Sequence, residues 1–266
     1  MEKESKEVHV LSLGAGVQSS ALALMAAKGE FEHMPDCAIF ADTQSEPESV
    51  YKWLDWLQTQ LPFPIHICTK GNLSEESRIV RVSEKGNKYV KGVIPAYTLD
   101  KNNKRGILIR QCTADYKITP IRQKIRELYP KRKIVMWMGI SLDEVARMKD
   151  SKVKYITNYY PLIDKGITRN GCINWMQNMG YPKPPRSACV FCPFHSNEEW
   201  ARLKKEEPEE FQKAVEFEKK YQDAVKDVLD SKPFLHNSLK PLDQVDFPSQ
   251  KQVDLFNNEC EGMCGI

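Results

Sequence analysis

The apolar run Val8–Leu13 (VHVLSL) breaks at residues 14–20 (GAGVQSS) and passes into a helix-like stretch, ALALMAAKG. A strand that turns through glycine and serine into a helix leaves backbone N–H groups unpaired at the positive end of the helix dipole, where phosphate binds. The same pattern also serves any tight strand-to-helix connection, so alone it points to a nucleotide without requiring one. The alternation continues downstream. A strand over 38–41 leads through a polar loop to a helix over 49–60, a third strand covers 65–68, and a helix over 118–128 precedes a strand over 134–139. This order predicts an α/β fold: a parallel twisted sheet with helices on both faces.

Between residues 72 and 110 the pattern dissolves into lysine, glycine and asparagine, which reads as a surface excursion or hairpin. After Trp200 the chain turns helical and charged, and from residue 231 it reads as an irregular tail. The expected division is a nucleotide-binding domain with a cysteine cluster over 1–196, and a helical, cysteine-bearing extension over 197–266.

With 266 residues, 41% of them hydrophobic, the chain can bury a core of enzyme size. Its longest strongly apolar run, residues 134–140, is too short to span a bilayer, and MEKESKE lacks the apolar stretch of a signal peptide. The expectation is a cytoplasmic protein without a membrane partner. Net charge is only +3, yet Arg122, Lys124, Arg126, Lys131, Arg132 and Lys133 face a single acid, Glu127, between residues 121 and 133. Such a run can track nucleic-acid phosphates or simply be a solvated helix face.

In an open parallel sheet, ligands sit beyond the carboxyl ends of the strands near the switch point. The residues there are 14–19, then Asp42 to Glu48, then Gly139 to Arg147. Carboxylates in those loops can receive ribose hydroxyls, an adenine amino group or magnesium, and Arg147 can take phosphate bidentately. Asp42, Ser45 and Ser141 also stand where helix N-caps stand. The nucleotide-binding candidates are Ser12, Gly14, Ala15, Gly16, Val17, Gln18, Ser19, Ser20, Asp42, Thr43, Glu46, Gly139, Ser141, Glu144 and Arg147.

Eight cysteines in a cytosolic chain read better as metal ligands or redox thiols than as disulfides. Cys37 and Cys68 lie in apolar strands and read as core thiols. Cys112, Cys172, Cys189 and Cys192 form the pattern C-x59-C-x16-C-x2-C, which suits zinc or a [4Fe–4S] cluster. Cys172 sits in an amphipathic stretch and can equally belong to a core. If it does, a cluster there would have three thiolates and an open iron. Cys260 and Cys264, with three residues between them on a glycine-containing end, suit a nucleophile with a resolving partner or a persulfide carrier.

Taken in order, these segments resemble the phosphoadenosine phosphosulfate (PAPS) reductase family of the adenine nucleotide α-hydrolases, or N-type ATP pyrophosphatases. Residues 14–19 stand in for the pyrophosphate loop, and Asp42-Thr43 with Glu46-Pro47-Glu48-Ser49 is similar to the Asp-Thr-Gly…Pro-Glu-Thr segment. Arg110-Gln111-Cys112-Thr113 with Lys117-Ile118-Thr119-Pro120 resembles the Cys…Lys…Pro helix entry. Gly139…Glu144…Arg147 and Tyr160-Pro161-Leu162-Ile163 follow suit, so the likeness runs from about residue 8 to 195. Two departures stand out: Gln18 replaces the usual loop aspartate, and Gly14 the first serine.

The resemblance implies an adenine nucleotide, ATP or PAPS, with Ser19 and the loop amides on phosphate and Asp42 or Thr43 near the nucleoside. It also favours [4Fe–4S] over zinc, and a tail cysteine that handles sulfur. Three functions follow from it. ATP can be split to AMP and pyrophosphate to activate a nucleic acid for thiolation, as in tRNA thiolation or DNA phosphorothioation, with a cysteine desulfurase as partner. PAPS or adenylyl sulfate can instead be reduced, with a thioredoxin-like partner clearing the tail. The third is a non-catalytic nucleotide- and cluster-binding regulator.

Overall fold

The structure, a computed structural model, describes residues 7–90 and 93–247. Its centre is a five-stranded, all-parallel sheet built from β1 (Val8–Leu13), β2 (Cys37–Asp42), β3 (Ile65–Thr69), β8 (Ile134–Met138) and β9 (Ile156–Tyr159), in the spatial order β3-β2-β1-β8-β9. The helices between them are α1 (Val17–Ala27), α2 (Glu48–Gln60), α3 (Leu73–Glu76) and α4 (Thr119–Leu128); α5 (Pro161–Asp164) and α6 (Arg169–Asn178) follow β9. From β1 the chain first steps to one side of the sheet and later returns to the other. The switch point therefore lies between β1 and β8.

The central strands are near-continuous apolar runs because both faces are covered, and successive side chains alternate between two cores. Leu11, Leu13, Phe40 and Trp137 pack beneath α1, α2 and α6. Val8, Val10, Ile39, Met136 and Met138 pack on the opposite face, against Ile121 and Ile125 of α4. Cys37 is fully buried as expected, whereas Cys68, on edge strand β3, is half-buried, with burial pushing its thiol up to about 11.

The 72–110 excursion contains α3, a hairpin of β4 (Val80–Val82) and β5 (Lys88–Val90), and the strands β6 (Tyr97–Asp100) and β7 (Arg105–Ile107). Residues 197–247 supply α7 (Asn197–Glu206), α8 (Pro208–Val225) and β10 (Ser231–Phe234). The start of the expected irregular tail is thus a strand, and β10 pairs antiparallel with β6 in a second sheet of order β10-β6-β7. Phe211, Phe217 and Tyr221 of α8 share a third core with Leu73, Ile94, Tyr116, Val190 and Phe191. The extension is packed onto the first part of the chain. Among the described residues no helix is long and apolar enough to cross a membrane.

Candidate functional site

At the carboxyl end of β1 the chain turns through Ala15 in the left-handed region (φ 59), a conformation that costs about 1–3 kcal/mol outside glycine and clusters at ligand sites. Gly16 follows as the N-cap of α1 with no side-chain capping bond. The loop is tied by Gly14 N donating to Ser19 Oγ (3.2 Å). Ser20 turns the other way and accepts from Trp53 Nε1 (2.9 Å), so it serves the packing of α2. Ser12 Oγ is buried without a hydrogen-bond partner at the end of β1.

Gln18 joins both sides of the switch point. Its Nε2 donates to Glu144 Oε2 (3.0 Å) and to Ser141 Oγ (3.4 Å), beyond β8, while its Oε1 accepts from Arg169 Nη1 (2.6 Å) at the start of α6. Arg147 Nη1 donates to Glu144 Oε1 (2.6 Å). Residues 142–147 form a 3-10 helix for which Ser141 stands at the N-cap, and Gly139 lies just after β8. The structure thus brings Gln18, Ser141, Glu144 and Arg147 together, as the strand-end argument requires.

A cavity of ≈ 290 Å³ opens beside the first residue of α1. It is lined by Val17, Arg169, Lys183, Arg186 and Arg202, together with Glu199 and Glu206. Arg202 is already neutralised by Glu199 (2.7 Å) and Glu207. Arg186 Nε is buried without a hydrogen-bond partner. Desolvation, then the nearby Arg186 guanidinium, pull the His195 imidazole down to about 3, so it is neutral and its Nε2–H faces Cys189 O (3.1 Å).

The loop after β2 builds a second cluster. Asp42 Oδ1 accepts from Gln44 N (2.7 Å) and from the Tyr51 hydroxyl (2.8 Å), a turn that holds Gln44 at φ 55. Glu46 is buried against Lys117 Nζ (3.2 Å) and accepts from Ser187 Oγ (3.2 Å). Lys117 is presented by a π-helical turn, Ala114–Ile118, the kind of widened turn that recurs at functional sites. Thr43 Oγ1 lies 3.2 Å from Cys189 Sγ, and desolvation together with the Glu46 charge pushes that thiol well above its ordinary range.

The cysteines divide between cores. Cys172 is fully buried beneath α1 and α2, whereas Cys112 and Cys189 border the α7–α8 core, and Cys192 is part-exposed one turn from Cys189. Among the described residues no three His, Cys, Asp or Glu side chains converge as metal ligands. Cys172 thus lies in a different core from Cys112 and Cys189, the placement in which it packs as a core thiol. Cys260 and Cys264 lie outside the described residues.

Sequence reasoning named Lys117 only within the Cys…Lys…Pro segment and did not single out Arg169, Lys183, Arg186, Ser187 or His195, which lie beside these loops. One signal was available: Lys183 and Arg186 flank Pro184-Pro185 immediately before the Cys189-x2-Cys192 pair, a stiff cationic approach to a thiol loop.

No protein-family model matches the chain, and no curated protein matches it. Among solved structures it is similar to the phosphoadenylyl-sulfate (PAPS) reductase from Candida auris, determined as a phosphate complex. That match has 13% sequence identity and a TM-score of 0.42, and covers 68% of this chain and 76% of that chain.

Proposed function

We propose that this chain is an adenine-nucleotide-dependent enzyme of sulfur transfer, with the nucleotide's phosphates against the first turn of α1. The observation that carries the reading is the helix start, uncapped by any side chain, that opens beside Arg169, Lys183 and Arg186 at the switch point of a parallel sheet. Helix amides and guanidinium forks both suit a multiply charged oxyanion. Asp42 ends β2, the strand beside β1, and Thr43 follows it.

In the first reading ATP is split to AMP and pyrophosphate, which activates an oxygen of a nucleic acid. The terminal sulfur of a desulfurase-loaded cysteine persulfide then attacks the adenylated position and expels AMP with that oxygen, and a second thiol cleaves the resulting disulfide link to release the thiolated product. A specific observation favours a second reading, reduction of PAPS or adenylyl sulfate. Gln18, in place of a loop carboxylate, aims a guanidinium rather than a metal-binding oxygen at the loop. In that chemistry a thiolate of Cys260 or Cys264 attacks the sulfate sulfur and expels the nucleotide, and a thioredoxin-like dithiol then releases sulfite.

The test is to incubate anaerobically purified protein with ATP and separately with PAPS plus a dithiol. Release of AMP and pyrophosphate supports the first reading, and sulfite from PAPS supports the second. Consumption of neither would overturn the enzymatic proposal and leave a nucleotide-binding regulator.

A further inference from the structure

We propose that Gln18 is a positioning residue that lets this site hold nucleotide phosphate with guanidinium groups and without a divalent cation. The inference rests on the nucleotide reading above and concerns how that same site is charged.

Gln18 is completely buried at the second position of α1, directly behind the loop. Its carboxamide has two different neighbours. The NH2 end meets the Glu144 carboxylate at 3.0 Å, and the carbonyl end meets the Arg169 guanidinium at 2.6 Å. The reverse orientation would set oxygen against carboxylate and N–H against guanidinium, two repulsive contacts, so only one orientation is satisfied. Arg147 takes the remaining oxygen of Glu144. Both carboxylate oxygens on this wall are thus held by donors.

Magnesium asks for oxygen ligands in near-octahedral array. Here the Gln18 oxygen is directed at Arg169 and both Glu144 oxygens are engaged, so the donor set does not fit such an ion. Residue 18 is neutral, and Arg169, from which it accepts, lines the phosphate cavity. A carboxylate at this position would add a negative charge beside that cavity. It would also stand about 3 Å from Glu144 without a proton to donate, an arrangement relieved only by a cation or a proton between the two.

The experiment measures binding of PAPS, and in parallel of ATP, by calorimetry in EDTA and in magnesium, for the full chain and for Gln18→Glu and Gln18→Met. The wild-type affinity should differ by less than about twofold between the two conditions. Gln18→Glu should bind at least about tenfold more weakly in EDTA, about 1.4 kcal/mol, and recover with magnesium. Gln18→Met, of similar shape without the hydrogen bonds, should be weakened in both conditions and gain nothing from magnesium. Thermal melts of each variant without ligand separate a folding defect from a binding one.

Wild-type binding that requires magnesium would overturn the inference while leaving the nucleotide reading intact. So would a Gln18→Glu or Gln18→Met variant that binds like wild type in EDTA. Failure of the wild type to bind either nucleotide in either condition would overturn the nucleotide reading and this inference with it.

Discussion

Glu46 and Lys117 show what individual residues contribute here. Both side chains are almost wholly withdrawn from solvent, and the ion pair is completed by the Ser187 hydroxyl. A buried pair adds little net stability over apolar replacements, but removal of one partner strands a charge. Lys117→Met should therefore destabilise the protein by about 3–5 kcal/mol in chemical denaturation. The double variant Lys117→Met/Glu46→Gln should recover part of that loss. Equal stability of Lys117→Met and wild type would show that the pair fixes nothing. The sequence could place Glu46 after a strand and Lys117 before a helix. It could not show that the two meet, because 71 residues separate them and a partner at that distance leaves no periodic trace. Glu46 read from the sequence as a ligand for nucleotide; in the fold its carboxylate also meets Lys117 and Ser187.

Among the elements, those with a strict period were legible. Strands β1, β2 and β8 are near-continuous apolar runs because both faces are covered, and α2 and α4 alternate at helical spacing, so their positions agree with expectation to within a few residues. Strand β10 was hidden. Ser231–Phe234 is four residues long and contains Pro233, and its pairing partner β6 lies more than a hundred residues earlier, so only tertiary contact makes it a strand. The π-helical turn Ala114–Ile118 has no sequence signature at all.

One carboxylate helps to hold the segment after α8, beside the pairing of β10 with β6. Glu218, nearly fully buried, accepts from Leu235 N (2.8 Å) and Leu242 N (2.7 Å), and both of those residues are completely buried. Glu218→Ala should leave two interior amides without an acceptor, at about 1–3 kcal/mol each, and the urea midpoint should fall accordingly. An unchanged midpoint would mean that these amides find other partners.

At the scale of the whole molecule, the switch point between β1 and β8 organises the rest. It places the strained Ala15 turn, the bare start of α1, the Gln18–Glu144–Arg147–Arg169 network and a cationic cavity at one end of one sheet. The loop residues of that set could be foreseen from strand order alone. Arg169, Lys183 and Arg186 could not, since they come from a helix start and a proline-rich loop with no strand behind them. The measurement that reaches the central claim most directly is calorimetric titration of the wild type and of Arg169→Ala with ATP and with PAPS. The account predicts saturable binding of at least one nucleotide by the wild type, weakened about tenfold or more in the variant, as expected for loss of a charge-assisted contact to phosphate. Equal affinities in the two proteins, or no binding by the wild type, would contradict it.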